Sequence, residues 1–228
     1  MYPSLPAAPH YITPEHEAFR RSVRRFVEQA ILPHINDWDE AETFPRELYA
    51  QAAELGLLGL GFPEQYGGTP GDSFYGLVMV EEMARCGSGG LLASLFSHTI
   101  GAPPILAGGT DELKAQVLPA ILRGEKISAL AITEPGGGSD VANLRLSAER
   151  DGDFYILNGE KTFITSGMRA DWLTVAARTG GPGAAGVSAL LVAGDTPGLT
   201  RTPLKKMGWW CSDTAHLHFE NCRVPVTH

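Results

Sequence analysis

Ala131-Ile132-Thr133-Glu134-Pro135-Gly136-Gly137-Gly138-Ser139-Asp140 marks the point where the pattern of this chain changes. A β-rich run over residues 126–133 enters a turn of three consecutive glycines, followed by Ser and Asp. Glycines let backbone N–H groups approach an anionic or planar ligand closely, and the Ser139 hydroxyl adds a donor. The segment is not a P-loop, because the Lys-Ser/Thr ending is missing. Taken alone, such a turn is more often a plain surface turn than a binding element.

Upstream of it the chain reads as helical. Thr13-Pro14-Glu15 is a start signal, with a capping residue, proline in the first turn and an acid at the positive end of the helix. Phe19, Val23, Phe26, Val27 and Ile31 then recur at helical spacing, and Pro33 ends the run. A second helix begins near Pro45 and stops at Gly56, and residues 59–72 are loop. Apolar helices follow over 73–86 and 90–106, the latter kinked or ended by Pro103-Pro104. Thr110-Asp111-Glu112 caps a last helix that closes at Gly124.

Downstream the chain reads as strands. Residues 154–157 and 161–165 flank Asn158-Gly159 and predict a hairpin, since Asn-Gly suits a type I′ turn. Residues 172–178, 187–192 and 216–219 are further strand candidates. The expectation is an α+β multidomain chain: an all-α helical domain over 1–125, then an antiparallel β-barrel or sandwich domain over 126–228.

Composition narrows the function classes. Of 228 residues, 43% are hydrophobic and 19% charged, as in a globular protein. The net charge is −8, with 16 acidic and 9 basic residues in 1–126. An acidic chain without a basic block argues against nucleic acid, and Arg20, Arg21, Arg24 and Arg25 read as a solvated helix face. Three cysteines, an odd number with no C-x-x-C pair, fit a reducing compartment and argue against zinc or disulfides. His216 and His218 alternate on one strand face without a third ligand nearby, so no metal site is expected. Residues 1–9 lack the features of a signal peptide, and no run of about 18 apolar residues is present, so a cytoplasmic protein without a membrane segment is expected.

A second motif, Asn158-Gly159-Glu160-Lys161-Thr162-Phe163-Ile164-Thr165-Ser166-Gly167, follows the first. Phe163 could lie on a flavin ring and Thr165 could bond a flavin edge nitrogen; alone, Phe163 reads as core. A third group is Lys206-Met207-Gly208, then Ser212-Asp213-Thr214-Ala215 and Phe219-Glu220-Asn221-Cys222-Arg223-Val224-Pro225. In the helical half stand Leu55-Gly56-Leu57-Leu58-Gly59, Pro63-Glu64-Gln65-Tyr66-Gly67-Gly68 and Glu81-Glu82. In this order, over nearly the whole chain, these segments resemble the acyl-CoA dehydrogenase family.

The resemblance implies an FAD flavoprotein that desaturates an acyl-CoA thioester between its α and β carbons, in fatty-acid or branched-chain β-oxidation. A carboxylate removes the α proton, flavin N5 takes a hydride from the β carbon, and electron-transferring flavoprotein is the acceptor. By the match, Leu130, Ile132 and Thr133 contact the flavin ring, with Gly138 in the tight turn. Ser139 sits where FAD and the thioester approach each other. Phe163, Ile164 and Thr165 hold the other side, with Thr165 near N5. Gly137 stands where Ala is commoner and Ser166 where Asn is frequent. The helix through Leu91, Leu92, Leu95 and Phe96 would line the acyl chain, although core packing explains the same residues equally well.

The family's base is a glutamate of a C-terminal helical bundle, so no catalytic residue is assigned here and the isolated chain is expected to be inactive. Glu134 reads as a turn residue, and Glu81 and Glu82 as surface or packing residues. Relatives form dimers or homotetramers, which implies a homo-oligomer. Other readings are an acyl-CoA oxidase or flavin monooxygenase on the same scaffold, separated by reoxidation of the reduced flavin in air, and a non-catalytic acyl-CoA- or partner-binding module.

Overall fold

The computed structural model describes residues 11–228; the signal-peptide reading of residues 1–9 lies outside them. Helix α1 (Pro14–Phe26) continues as a π-helical turn, Val27–Ile31. His16 closes its capping box, accepting from the Thr13 N–H at Nδ1 (3.1 Å). Its Nε2 donates to Asp72 (2.9 Å), which in turn caps α4 (Ser73–Met83) by accepting from the Phe74 N–H. One histidine thus ties two helix starts together. The same helices are joined by Glu82, 2% exposed, which accepts from Arg20 and Arg24. Glu82 is therefore a buried packing residue and not a surface one.

Two short helices, α2 (Ile35–Glu40) and α3 (Glu47–Glu54), precede α4. The apolar stretch expected as one helix over 90–106 is three: α5 (Gly89–Leu95), α6 (His98–Gly101) and α7 (Pro103–Gly108). Pro103 and Pro104 start α7, where a missing N–H costs nothing. The last helix, α8 (Asp111–Leu122), is capped by Thr110, whose hydroxyl accepts from the Leu113 N–H (3.2 Å).

The strands are β1 (Ser128–Ala131), β2 (Ser147–Asp151), β3 (Phe154–Ile164), β4 (Trp172–Arg178), β5 (Val187–Ala193), β6 (Leu199–Pro203) and β7 (Ala215–Pro225). They form one curled half-barrel sheet in the order β1-β4-β2-β3-β7-β6, with β5 on β4. Most pairings are antiparallel, and β1–β4 and β2–β4 are parallel, which makes the sheet mixed.

The hairpin expected at Asn158-Gly159 is absent. Both residues lie inside the single strand β3, opposite a bulge in β7 where Asn221 adopts φ +51°. The Asn158 side chain accepts from the Asn221 N–H (2.8 Å) and fills the gap in the ladder. Gly159 is needed because a Cβ there would fall 2.9 Å from the Leu146 Cα, at φ +137°. The actual tight turn, between β2 and β3, is Gly152-Asp153, with Gly152 at φ +60°.

A single apolar cluster runs from Val23, Leu48 and Leu91 in the helices to Ile127, Leu173 and Phe219 in the sheet. Helix α6 lies directly on β1: Ser97 Oγ donates to the Ser128 carbonyl (2.9 Å), and Thr174 Oγ1 to the Gly101 carbonyl (2.7 Å). A Cβ on Gly101 would sit 2.6 Å from Ser128 Oγ, so glycine permits this approach. No single helix among the described residues is long and apolar enough to cross a membrane.

Candidate functional site

Strand β1 delivers the glycine turn to the surface. Leu130, Ile132 and Thr133 are half-buried, and residues 135–140 are exposed, Gly138 and Ser139 among them. The Glu134 and Gly137 backbones exchange two hydrogen bonds of 3.0 Å, which folds the turn tightly. A Cβ on Gly136 or Gly137 would meet nothing within 4 Å, whereas one on Gly138 would press on Thr133 Cγ2 at 3.2 Å. The space above the first two glycines is open.

Glu134 faces inward. Its carboxylate accepts from the Arg145 and Leu146 N–H groups (2.6 and 2.8 Å) and from Lys161 Nζ (2.9 Å). Lys161 is fully buried and also donates to the Ile132 carbonyl (2.8 Å). Burial pushes the Glu134 carboxyl up, yet the Leu146 N–H, Lys161 and the Arg145 N–H outweigh it and hold it below the usual carboxylate range. Burial likewise lowers Lys161, against the pull of Glu134. All of this ties strand to turn and leaves Glu134 no free oxygen directed at a ligand.

The second motif arrives beside the first. The Thr162 N–H donates to the Thr133 carbonyl (2.8 Å), so the two segments lie side by side. Phe163 is not in the core: it is 69% exposed, at φ +58°. Ile164 is buried, which leaves its backbone for a neighbour, and Thr165 is half-buried in the turn that follows. Ser166 is buried at φ +60°, a conformation that Asn and Gly tolerate best, and its hydroxyl donates to the Ser94 carbonyl (3.3 Å). That position explains why Asn suits it.

The donor set suits a neutral planar ring. Thr133, Ser139 and Thr165 bring hydroxyls to this surface, Ser139 exposed and the other two half-buried. The one carboxylate of the turn is spent internally, and Phe163 presents an uncovered aromatic face. These residues fit an isoalloxazine.

An apolar groove of about 420 Å³ runs between α4 and α5, walled by Met79, Met83, Leu92, Ala93, Phe96 and Trp209. Leu91 and Leu95 do not reach it, because both are 0% exposed on the core face of α5. Within the expected acyl-lining set, the groove residues are thus Leu92 and Phe96. The i, i+3, i+7 spacing of Gly89, Leu92 and Phe96 is the sequence signal for that face. Trp209 has no periodic signal, and only its contact with α5 reveals it. Elsewhere, His216 and His218 flank Glu160 at 3.9 and 3.5 Å. Among the described residues no three His, Cys, Asp or Glu side chains are placed to hold a metal ion.

The chain thus joins a helical unit that carries an apolar groove to a curled half-barrel that carries an exposed glycine turn. Both parts match family models: residues 13–125 match the acyl-CoA dehydrogenase N-terminal domain, and residues 129–222 its middle domain. The chain belongs to the acyl-CoA dehydrogenase family, of which it carries these two domains. It is 38% identical to a probable acyl-CoA dehydrogenase, YngJ, of Bacillus subtilis over 95% of this chain and 58% of the relative. It superposes with a TM-score of 0.92 and 54% identity on a putative acyl-CoA dehydrogenase of Mycobacterium smegmatis, covering 95% of this chain and 57% of that one. An acyl-CoA dehydrogenase of Bacillus anthracis solved in complex with FAD matches with a TM-score of 0.87 and 34% identity, over 96% of this chain and 38% of that one. The chain spans about half the length of the curated relatives it matches.

Proposed function

We propose that this chain supplies the flavin-facing and acyl-binding walls of an FAD-dependent acyl-CoA dehydrogenase. The observation that carries this is the 2.8 Å bond from the Thr162 N–H to the Thr133 carbonyl. It sets the glycine turn and the Phe163–Thr165 segment side by side, with open space above Gly136 and Gly137. The Bacillus anthracis relative bound to FAD supports the cofactor.

When bound, FAD supplies the hydride acceptor. The chain's own residues would hold and orient it: the backbones of Leu130, Ile132, Gly138 and Ile164, the hydroxyls of Thr133, Ser139 and Thr165, and the ring of Phe163. Ser139 would also meet the thioester arm. Leu92 and Phe96 would border the hydrocarbon tail, with Leu91 and Leu95 shaping α5 from behind. The α proton needs a carboxylate base, and Glu134 is committed to Lys161 and two N–H groups. Glu134 is thus not free to serve as that base; the reading places the base outside the two domains this chain carries and expects no turnover from them alone. Electron-transferring flavoprotein, a homo-oligomeric assembly and a cytoplasmic site complete the proposal.

Titration of the purified chain with FAD, followed by flavin fluorescence, tests the reading. Saturable but weak binding is expected, weakened further by Thr165→Val. Absence of any saturable signal overturns it. For the parent activity, the expected product of a saturated acyl-CoA is its trans-2-enoyl thioester.

A further inference from the structure

Trp209 sits on the groove through a contact that only glycine permits. A Cβ on Gly90 would lie 2.8 Å from the Trp209 carbonyl group, and one on Gly89 would lie 2.7 Å from the indole Nε1. The Trp209 backbone is left-handed, at φ +56°, and the residue is still 62% exposed. Such a conformation in a bulky residue is strained and persists only where the surroundings impose it.

The surroundings do impose it. Lys206 Nζ donates to the Trp209 carbonyl (2.6 Å) and to the Ser212 carbonyl. The Trp210 indole donates to the Lys206 carbonyl (3.0 Å), and the Cys211 N–H to Asp39 (3.1 Å). The loop is braced on both sides of Trp209, so the indole is held against the first turn of α5.

That turn is one end of the groove. At the other end, the Ser166 hydroxyl donates to the carbonyl of Ser94 in the last turn of α5 (3.3 Å), which brings the turn after the Phe163–Thr165 segment to the Phe96 end. From Gly89 to Phe96 the groove follows α5 for about 10 Å. A hydrocarbon tail entering from the flavin side would run toward the N-terminus of α5 and meet the indole.

We infer that Trp209 is the end stop that sets the length of acyl chain this groove accepts. The inference rests on the acyl-CoA reading. It assigns specificity to a residue of the loop between β6 and β7 and not to the helix that lines the tail.

Calorimetric titration of the chain with saturated acyl-CoAs of four to sixteen carbons, and in parallel with n-alkan-1-ols as a CoA-free probe, tests it. In the unaltered chain affinity should rise about fourfold per methylene until the tail reaches the indole, and then level off. Trp209→Ala should move the plateau to longer chains, and Trp209→Phe should place it between the two. Met207→Ala, a fully exposed residue of the same loop outside the groove, should leave it where it is. Thermal melts by circular dichroism confirm that each variant is folded. An unmoved plateau in folded Trp209→Ala overturns the inference. A plateau that shifts for alkanols while no acyl-CoA binds sustains the stop and rejects the acyl-CoA reading. Binding of neither series overturns both.

Discussion

Lys161 and Glu134 form a 2.9 Å ion pair in which the lysine has no exposed surface and the glutamate almost none. The pair holds β3 to the glycine turn, so the geometry of the proposed flavin site rests on it. Lys161→Met should destabilise the chain by about 3–5 kcal/mol, because a buried carboxylate loses its counter-ion. A lower urea midpoint checks this. The Glu134 carboxyl is held below its ordinary range, so its contribution is complete above that range and is lost as pH falls through the folded value. The variant should therefore show a flatter loss of stability in acid than the parent.

His98 gives the opposite kind of titration. Burial pushes its imidazole down to about 4, against the pull of the Leu58 carbonyl to which Nε2 donates at 2.9 Å. Between that value and the ordinary one near 6.5 the unfolded chain binds a proton that the folded chain refuses. Stability should thus fall by about 2 kcal/mol from pH 7.5 to pH 5. In His98→Gln, whose amide can still donate to Leu58, most of that slope should vanish. Chemical denaturation at the two pH values measures it.

Signals carried by adjacent residues were legible in the sequence. Thr13-Pro14 and Thr110-Asp111 start helices where capping chemistry says they should, and residues 172–178 form the expected strand. The glycine turn and the Asn158–Gly167 segment were legible as motifs, and the Thr162–Thr133 bond sets them side by side. What failed depended on distant partners. Asn158-Gly159 looks like a turn, yet Leu146 and Asn221, remote in sequence, make it the middle of a strand. Strands β2 and β6 carry exposed polar residues and gave no alternating signal. On α5 the apolar run Leu91-Leu92 could not say which leucine faces the core, because both faces are covered or lined by apolar groups.

The glycines of the site should respond in opposite ways. Gly137 has open space at the Cβ position and no left-handed φ. Gly137→Ala should stabilise the chain by about 0.5 kcal/mol, through the unfolded state. Gly159→Ala forces a Cβ to within 2.9 Å of the Leu146 backbone at φ +137° and should cost about 2 kcal/mol or more. Urea unfolding of the two variants side by side tests the contrast, and equal effects would contradict the strand assignment at Gly159.

Phe163 should separate folding from cofactor binding. Its ring is 69% exposed, so little burial is lost when it is removed, and its φ of +58° is costly for an aromatic residue. Phe163→Gly should relieve that strain and gain about 1 kcal/mol of stability. The same change removes the aromatic face proposed to meet the flavin, and FAD affinity should fall about tenfold, the scale of one aromatic stacking contact. Phe163→Ala keeps most of the backbone cost and loses the ring, so its affinity should match the glycine variant while its stability should not. Stability and affinity moving together across the three proteins would mean that Phe163 serves the fold. Opposite movement identifies a residue kept in a strained, exposed position for its ligand.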